Sequence, residues 1–472
     1  MRLFVRVCRL TAGVFLLLSA GGAASAQTVA QVIPSLLTER ITINGQSVNP
    51  VLVNDRGPAI DHTAHFFQGS FERLFRVGTV TNGLLATQLT TYPIGYSSGG
   101  FTYTFDPTTS TDRRTSPSFG PAFADRPYTI GKGRWNLALN YQRATFDTLE
   151  GKDLQNEIHF YFQHNDCCPA GGNGSVGDVS RGDPPFEQDL IEATLNVNVS
   201  ANTVAFSASY GLTDNLDLGV VVPVIDISMD AQLTSRLIRL GSENNPRPAG
   251  SPLNFHAFPG GSLENPYPAQ AAASATGIGD MVVRAKYNFF KGGGDKGAAA
   301  VGVDLRLPTG SEEDLLGTGA AQARVSFIGS TALGGRFFPH VNVGYTFSGK
   351  GYVNELVSDL RQPHEANYTF GFDSALTSNL TVAADVIGRS LLDPSGFTDA
   401  TREFACVSCP PLSPGFKEFE LSSGNVNLLF GSAGVRFNPF TNLLISGHLL
   451  FPLRDAGLVD KLTPVIGVEY AF

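Results

Sequence analysis

The chain has 472 residues, 42% of them hydrophobic and 16% charged, with 52 glycines, 34 phenylalanines and a formal net charge of −9. Low charge with few like-charge runs argues against disorder, and an acidic balance without a basic stripe excludes a nucleic-acid binder. Past the first residues no stretch approaches the roughly 20 apolar residues of a spanning helix, which excludes a polytopic helical membrane protein.

The N-terminus carries Arg2, Arg6 and Arg9, an apolar stretch from Leu10 to about Ala20, and Ala24-Ser25-Ala26 before Gln27. These are the three parts of a secretory signal peptide, so 1–26 is expected to be cleaved after Ala26. Cys8 precedes the apolar core and cannot be a lipid-bearing cysteine. Without the three arginines the chain keeps 30 basic against 42 acidic residues, a net of −12. Residues 27–98 alternate poorly. His65, Phe66, Phe67, Phe71, Leu74 and Phe75 have helix-like spacing, and Gly83 to Ile94 is apolar with interleaved Thr and Gln. This segment is expected to be periplasmic or to plug the lumen of a barrel formed by residues 99–472.

From residue 99 to 472 a two-residue period recurs. Leu462, Pro464, Ile466, Val468, Tyr470 and Phe472 share one face, while Thr463, Val465, Gly467, Glu469 and Ala471 share the other. Val341 to Phe347, Val301 to Leu307 and Ile191 to Val197 alternate in the same way. The pattern predicts fourteen strands, at about 99–106, 134–148, 155–164, 188–210, 215–231, 277–290, 297–308, 322–333, 336–349, 365–377, 379–391, 424–438, 441–452 and 462–472, with twelve or sixteen as alternatives. Apolar faces would look at lipid in a barrel and inward in a soluble sandwich. Connection lengths favour the barrel. With the C-terminus periplasmic, the connections at 438–441, 378, 332–335, 291–296, 211–214 and 148–152 are short and share one side. The segments at 107–133, 165–187, 232–276, 350–364 and 392–423 are long and face outward, which is the asymmetry of outer-membrane barrels. Backbone groups in lipid must be satisfied within the sheet, which requires closure. A terminal Phe472 suits the aromatic girdle and the bacterial barrel-assembly machinery. The expected class is therefore all-β, a transmembrane antiparallel barrel of about 14 strands over 99–472 with an N-terminal plug.

Gly277-Ile278-Gly279-Asp280, Leu307-Pro308-Thr309-Gly310, Leu315-Leu316-Gly317-Thr318-Gly319 and Tyr210-Gly211-Leu212-Thr213-Asp214 with Leu216-Asp217 resemble the outer-membrane channel family of the meta pathway of phenol degradation. The wider architecture resembles the long-chain fatty-acid outer-membrane transporters. The match covers roughly 188–472. It implies passive uptake of small hydrophobic or aromatic molecules in the bacterial outer membrane, with lipid and the permeant as partners, no cofactor and no enzymatic step; the oligomeric state is left open. The alternative is a structural or adhesive barrel without specific transport, and a secreted soluble all-β protein is a third reading.

Inward faces carry His159, Arg284, Lys286, Asp304, Arg306, His340, Asp373, Asp385, Arg389, Arg436, His448 and Glu469. Arg284, Lys286, Asp304, Arg306, Asp385, Arg389 and Arg436 are the candidates for contact with a permeant, since charged linings tune passage. The competing expectation is a network of ion pairs that packs the lumen or holds the plug. Cys167, Cys168, Cys406 and Cys409 are disulfide candidates on outward loops, because export passes through an oxidising compartment; four-cysteine zinc is disfavoured by the vicinal pair. Gly95-Tyr96-Ser97-Ser98-Gly99 fits a nucleophile elbow, but Phe101, Tyr103 and Phe105 then alternate as a strand where a helix is required. Ser446 and His448 share a face by ordinary alternation.

Overall fold

Twelve strands, each antiparallel to the next, close into a ring in the computed structural model, which describes residues 27–38, 41–43, 46–48, 63–93, 100–106, 111–163, 189–240, 258, 262–292, 297–349, 362–404 and 415–472. They are β1 (Trp135–Phe146), β2 (Leu190–Gly211), β3 (Leu216–Ile238), β4 (Met281–Lys291), β5 (Ala298–Leu307), β6 (Gln322–Ser330), β7 (Phe337–Ser348), β8 (His364–Ala375), β9 (Leu380–Leu392), β10 (Val426–Phe440), β11 (Leu443–Pro452) and β12 (Thr463–Ala471). The seam is β12 against β1, from Val465↔Gln142 to Ala471↔Asn136. It is tied by Trp135 N to Phe472 O at 2.8 Å and Phe472 N to Trp135 O at 2.9 Å. No sheet edge is left across the bilayer, as a membrane barrel requires.

The ring has twelve strands, the lower of the counts that alternation leaves open around fourteen. Tyr103–Asp106 pairs only with Thr111–Arg114. Ile158–Gln163 pairs with Leu190 to Leu195 at the far end of β2, beyond the part that β1 covers. The reason is strand length. β3 has 23 residues, about 75 Å of strand, whereas crossing a bilayer takes about 9–11 tilted residues. Its first residues, Leu216 to Val221, pair with β4. The stretch from Val224 to Leu233 pairs with Ala269–Ile278, an extension that belongs to no ring layer.

Connections segregate by length. Residues 212–215, 292–297, 331–336, 376–379 and 441–442 lie at the end that holds Phe472, the turn end, and the longer connections lie at the opposite, loop end. Two expectations are corrected. The connection after Thr148 belongs to the loop end, where Thr148–Leu149 pairs with Leu458–Val459. Residues 115–133, expected to face outward, lie inside the barrel. At the turn end aromatic rings form a girdle, with Trp135 and Tyr210 at 4.8 Å, Phe337 and Phe372 at 5.0 Å, and Tyr470 and Phe472 at 6.0 Å.

Side-chain chemistry along β3 shows where the lipid ends. Val220, Val222 and Val224 point outward and are followed on the same face by Asp226, Ser228, Asp230 and Gln232, while Ile225, Ile227, Met229 and Leu233 are buried inside. Below this level the wall is apolar outside, with Leu137, Leu218, Val303, Phe327, Ile445 and Ile466 exposed. Above it the wall is apolar inside. Ile191, Ala193, Leu195 and Val197 belong to that upper wall, so their apolar face turns inward and not to lipid.

The upper wall encloses an apolar dome. Within it sit a one-turn 3₁₀ segment (Val29–Gln31), α1 (Val32–Thr38) and α2 (Thr63–Thr91). Ile33, Leu36, Leu37, Phe66, Leu74 and Leu85 are fully buried, each burial contributing about 1.5–3 kcal/mol. From Val77 to Thr90 all but Gly83 are buried, so α2 is an interior helix with no solvent face in this part. Three of its threonines therefore bond locally, Thr81 to Val77 O at 2.8 Å, Thr87 to Gly83 O at 2.7 Å and Thr90 to Ala86 O at 2.7 Å, while Asn82 donates to Ala30 O and Gln88 accepts from Leu458 N. A Cβ at Gly78 would stand 3.2 Å from Pro34 Cα. Gly78→Val should overpack the α1 contact by about 1–3 kcal/mol and make α1 the first site of proteolysis, which limited proteolysis of the folded protein would read.

Candidate functional site in the barrel lumen

At bilayer depth the lumen is occupied by the protein's own chain. Residues 115–134 rise from the turn end to mid-barrel and return. Phe119 N donates to Thr381 Oγ1 at 3.0 Å near the turn end, Asp125 N to Asn342 Oδ1 at 3.0 Å halfway up β7, and Thr129 Oγ1 to Asp214 O at 2.8 Å back at a turn. Buried irregular backbone must find partners for its polar groups. Strand side chains supply them. Lys286 Nζ donates to Tyr128 O at 2.6 Å and Arg126 O at 3.1 Å, Asn288 Nδ2 to Pro127 O at 2.8 Å, and Arg436 Nη1 to Phe119 O at 2.5 Å.

The seven candidate lumen residues fall into three groups. Low in the barrel, Lys286 pairs with Asp217 at 3.3 Å, and Asp217 also accepts from Ile130 N. On the other wall Arg436 lies 4.0 Å from Glu469, whose Oε1 accepts from Gly100 N. Asp385 bonds His340 Nε2 at 2.7 Å, and His340 Nδ1 lies 3.4 Å from Asp373, which accepts from Ser118. At mid-height Arg284 bonds Asp125 at 2.6 Å and Asp304 at 3.2 Å, and Arg324 also bonds Asp304. Higher still, Arg306 Nη1 donates to Thr90 O at 2.8 Å, and Arg389 donates to Thr91 O at 2.8 Å. Two arginines thus hold the last carbonyls of α2, where cations favour the helix dipole. Arg389 also grips Glu365 through Nε at 2.6 Å and Nη2 at 2.8 Å.

Asp385 and Arg389, four apart on one face, serve different partners and form no common site. His159 lies on the polar outer face of the dome, bonded to Thr194 at 3.1 Å, and not in the lumen. His448 packs edge-on against Phe123 at 6.2 Å. Cys167, Cys168, Cys406, Cys409 and the turn at 95–99 lie outside the described residues. Among the described residues no cluster of three or more metal-ligating side chains occurs.

Arg114 stacks 4.0 Å from the Phe119 ring centroid; burial, with Arg126 nearby, lowers its pKa to about 10, so it remains a cation at neutral pH. Burial raises the Tyr92 pKa above the ordinary tyrosine value, which keeps a neutral hydroxyl against Thr463. Between the end of α2 and the tip of the 115–134 loop, which plugs the ring at this depth, lies a cavity of about 150 Å³, with Tyr92, Phe123, Arg306, Arg324, Glu365 and Asn367 in its wall. Arg324 and Glu365 were legible by extending alternation into β6 and β8. Asp125 and Phe123 carry no periodic signal. Glu365→Gln would strip the bidentate partner from a buried guanidinium, for a loss of about 3–5 kcal/mol. Adding Arg389→Met should recover part of it, as the midpoint of thermal loss of compact gel migration would show.

Three of the glycine-rich motifs, at 277–280, 307–310 and 315–319, converge on one place, the break between Ala269–Ile278 and β4, while Tyr210 to Asp214 lies at the turn end. The buried Asp280 accepts from Gly310 N at 3.1 Å, Thr318 N at 2.9 Å and Thr318 Oγ1 at 3.0 Å. Thr309 Oγ1 donates to Gly279 O at 2.7 Å and accepts from Met281 N at 3.0 Å. A Cβ on Gly317 would meet Gly310 O at 2.6 Å, so the loop closes only around glycine. Residues 181–399 match the family model described as "Putative MetA-pathway of phenol degradation". Over these residues the chain is similar to that family. No curated protein matches the sequence. Among solved structures it is similar to an outer membrane channel from Pseudomonas putida F1, at 10% identity over 73% of this chain and 97% of that one, with a TM-score of 0.41. It is also similar to a FadL homologue from Pseudomonas aeruginosa, at 12% identity over 82% and 96% of the two chains with a TM-score of 0.31. The toluene transporter TbuX of Ralstonia pickettii aligns at 14% identity over 72% and 90%, with a TM-score of 0.27.

Proposed function

We propose that the protein is a bacterial outer-membrane channel for passive uptake of small hydrophobic or aromatic compounds. In this reading the chain is exported by the segment cleaved after Ala26 and inserted through the strand ending at Phe472. The observation that carries it is a closed ring, apolar toward lipid, whose lumen is divided by its own chain into small compartments. A general porin keeps a wide aqueous lumen. Here an apolar dome precedes a polar, tightly packed lumen, an arrangement that suits a compound able to partition out of water first. The family similarity over 181–399 supports the same reading. The gradient alone drives such flux, so no cofactor enters.

The experiment is toluene uptake by whole cells whose outer membrane carries the folded protein, set against cells lacking it. The proposal expects faster uptake at equal biomass. Equal rates, with the barrel shown to be folded by heat-modifiable gel migration, would favour the structural or adhesive alternative.

A further inference from the structure

The cavity between α2 and the plug has features that a route for neutral hydrocarbons does not require. Its roof is the end of α2, with Thr91, Tyr92 and Pro93, and its floor is the plug tip with Phe123 and Asp125. Strands β5 to β9 form its sides. At about 150 Å³ it matches a space in which a single benzene ring is accommodated in a protein interior. Its aromatic surfaces come from the roof, through Tyr92, and the floor, through Phe123.

Its charges do not balance. Among the described residues Arg284, Arg306, Arg324 and Arg389 stand at or directly behind the wall, against Asp125, Asp304 and Glu365. Three guanidiniums are matched to carboxylates: Arg389 to Glu365, Arg324 to Asp304, and Arg284 to Asp125 and Asp304. Arg306 is different. Its hydrogen bond is to a neutral carbonyl, Thr90 O, at 2.8 Å, and it has no ion pair among the described residues. A guanidinium in a partly dry cavity is poised for a planar anion, because its fork of donors fits a carboxylate.

We propose that this cavity is a binding site for a monocyclic aromatic carboxylate, with the carboxylate on Arg306 and the ring against Phe123. This rests on the channel reading and narrows its substrate class.

The test is equilibrium binding of benzoate and of benzyl alcohol to the full-length protein in detergent. Benzoate should bind at least about tenfold more tightly than the neutral analogue of similar shape. Arg306→Gln should remove that preference, whereas Arg306→Lys should retain part of it. Because Arg306 also holds α2, Phe123→Ala is the second variant; it makes no demand on that bond and should weaken both ligands together. Equal binding of the two ligands by the wild type, or an unchanged preference in a folded Arg306→Gln protein, would overturn the assignment. Toluene uptake separates the two levels. Uptake without benzoate preference rejects the anion site alone, and no uptake of either compound rejects the channel with it.

Discussion

Deletion of residues 27–98 is expected to leave single-channel conductance low, whereas deletion of residues 27–132 should raise it by at least about tenfold. The two truncations differ in what they take from the lumen. The first removes the helices of the dome, but Asp125 stays bonded to Arg284 and Asn342, and Lys286 still holds the carbonyls of Arg126 and Tyr128. The second removes the occluding loop itself and leaves β1 to begin at its seam with β12. Eight-stranded barrels are filled by side chains and sixteen-stranded ones leave an aqueous channel, so a twelve-stranded ring freed of this loop should conduct as an open pore. Planar-bilayer recordings on both proteins, each showing heat-modifiable migration, decide the matter. High conductance from the shorter deletion would place the barrier in the dome and not at 115–134.

Asp280→Ala should lower stability by about 3 kcal/mol or more, because three buried donors lose one charged acceptor together. Asp280→Asn should cost less, since its oxygen still accepts from Thr318 N and Oγ1 while its amide nitrogen opposes only the Gly310 N–H. The expected readout is a lower temperature for half-loss of the compact gel form, in the order wild type, Asn, Ala. The loop it anchors includes Leu315, which adopts a φ of 55°, a conformation that a leucine keeps only when its surroundings impose it. If Asp280→Ala melts with the wild type, the motif is not a structural clasp.

The barrel was legible because lipid and lumen are different solvents, and β12 records both: Ile466, Val468 and Tyr470 outward, Thr463, Gly467 and Glu469 inward. Alternation has a period but no sign. Ile191 to Val197 carry the same pattern as Val301 to Leu307, yet one set packs on the dome and the other meets lipid. Alternation left the strand number between twelve and sixteen for the same reason, because a segment such as Ile158–Gln163 pairs in the sheet while adding only to the height of the wall. The candidate arginines were visible as inward charges. So were Asp304 and Glu469 among their partners, but Asp125 and the neighbouring Phe123 were not, because they lie in a stretch whose conformation is dictated by side chains from distant strands. The glycine-rich motifs were visible as a family likeness before they had a physical meaning, and Asp280 supplies it.

The path of the chain through the ring constrains how the molecule is made. Ala30 N bonds Glu313 O at the loop end, while Trp135 starts β1 at the opposite end, so the intervening chain runs the length of the lumen. That chain cannot be inserted through a wall already sealed. Laying it inside while the β1 and β12 edges are still apart avoids threading it end-first through a closed ring, so zipping of that seam is expected to come last. Edge pairing traps the strap. A bulky folded passenger fused ahead of Gln27 would have to be hauled through a narrowing hoop, whereas one appended after Phe472 would hang clear of it.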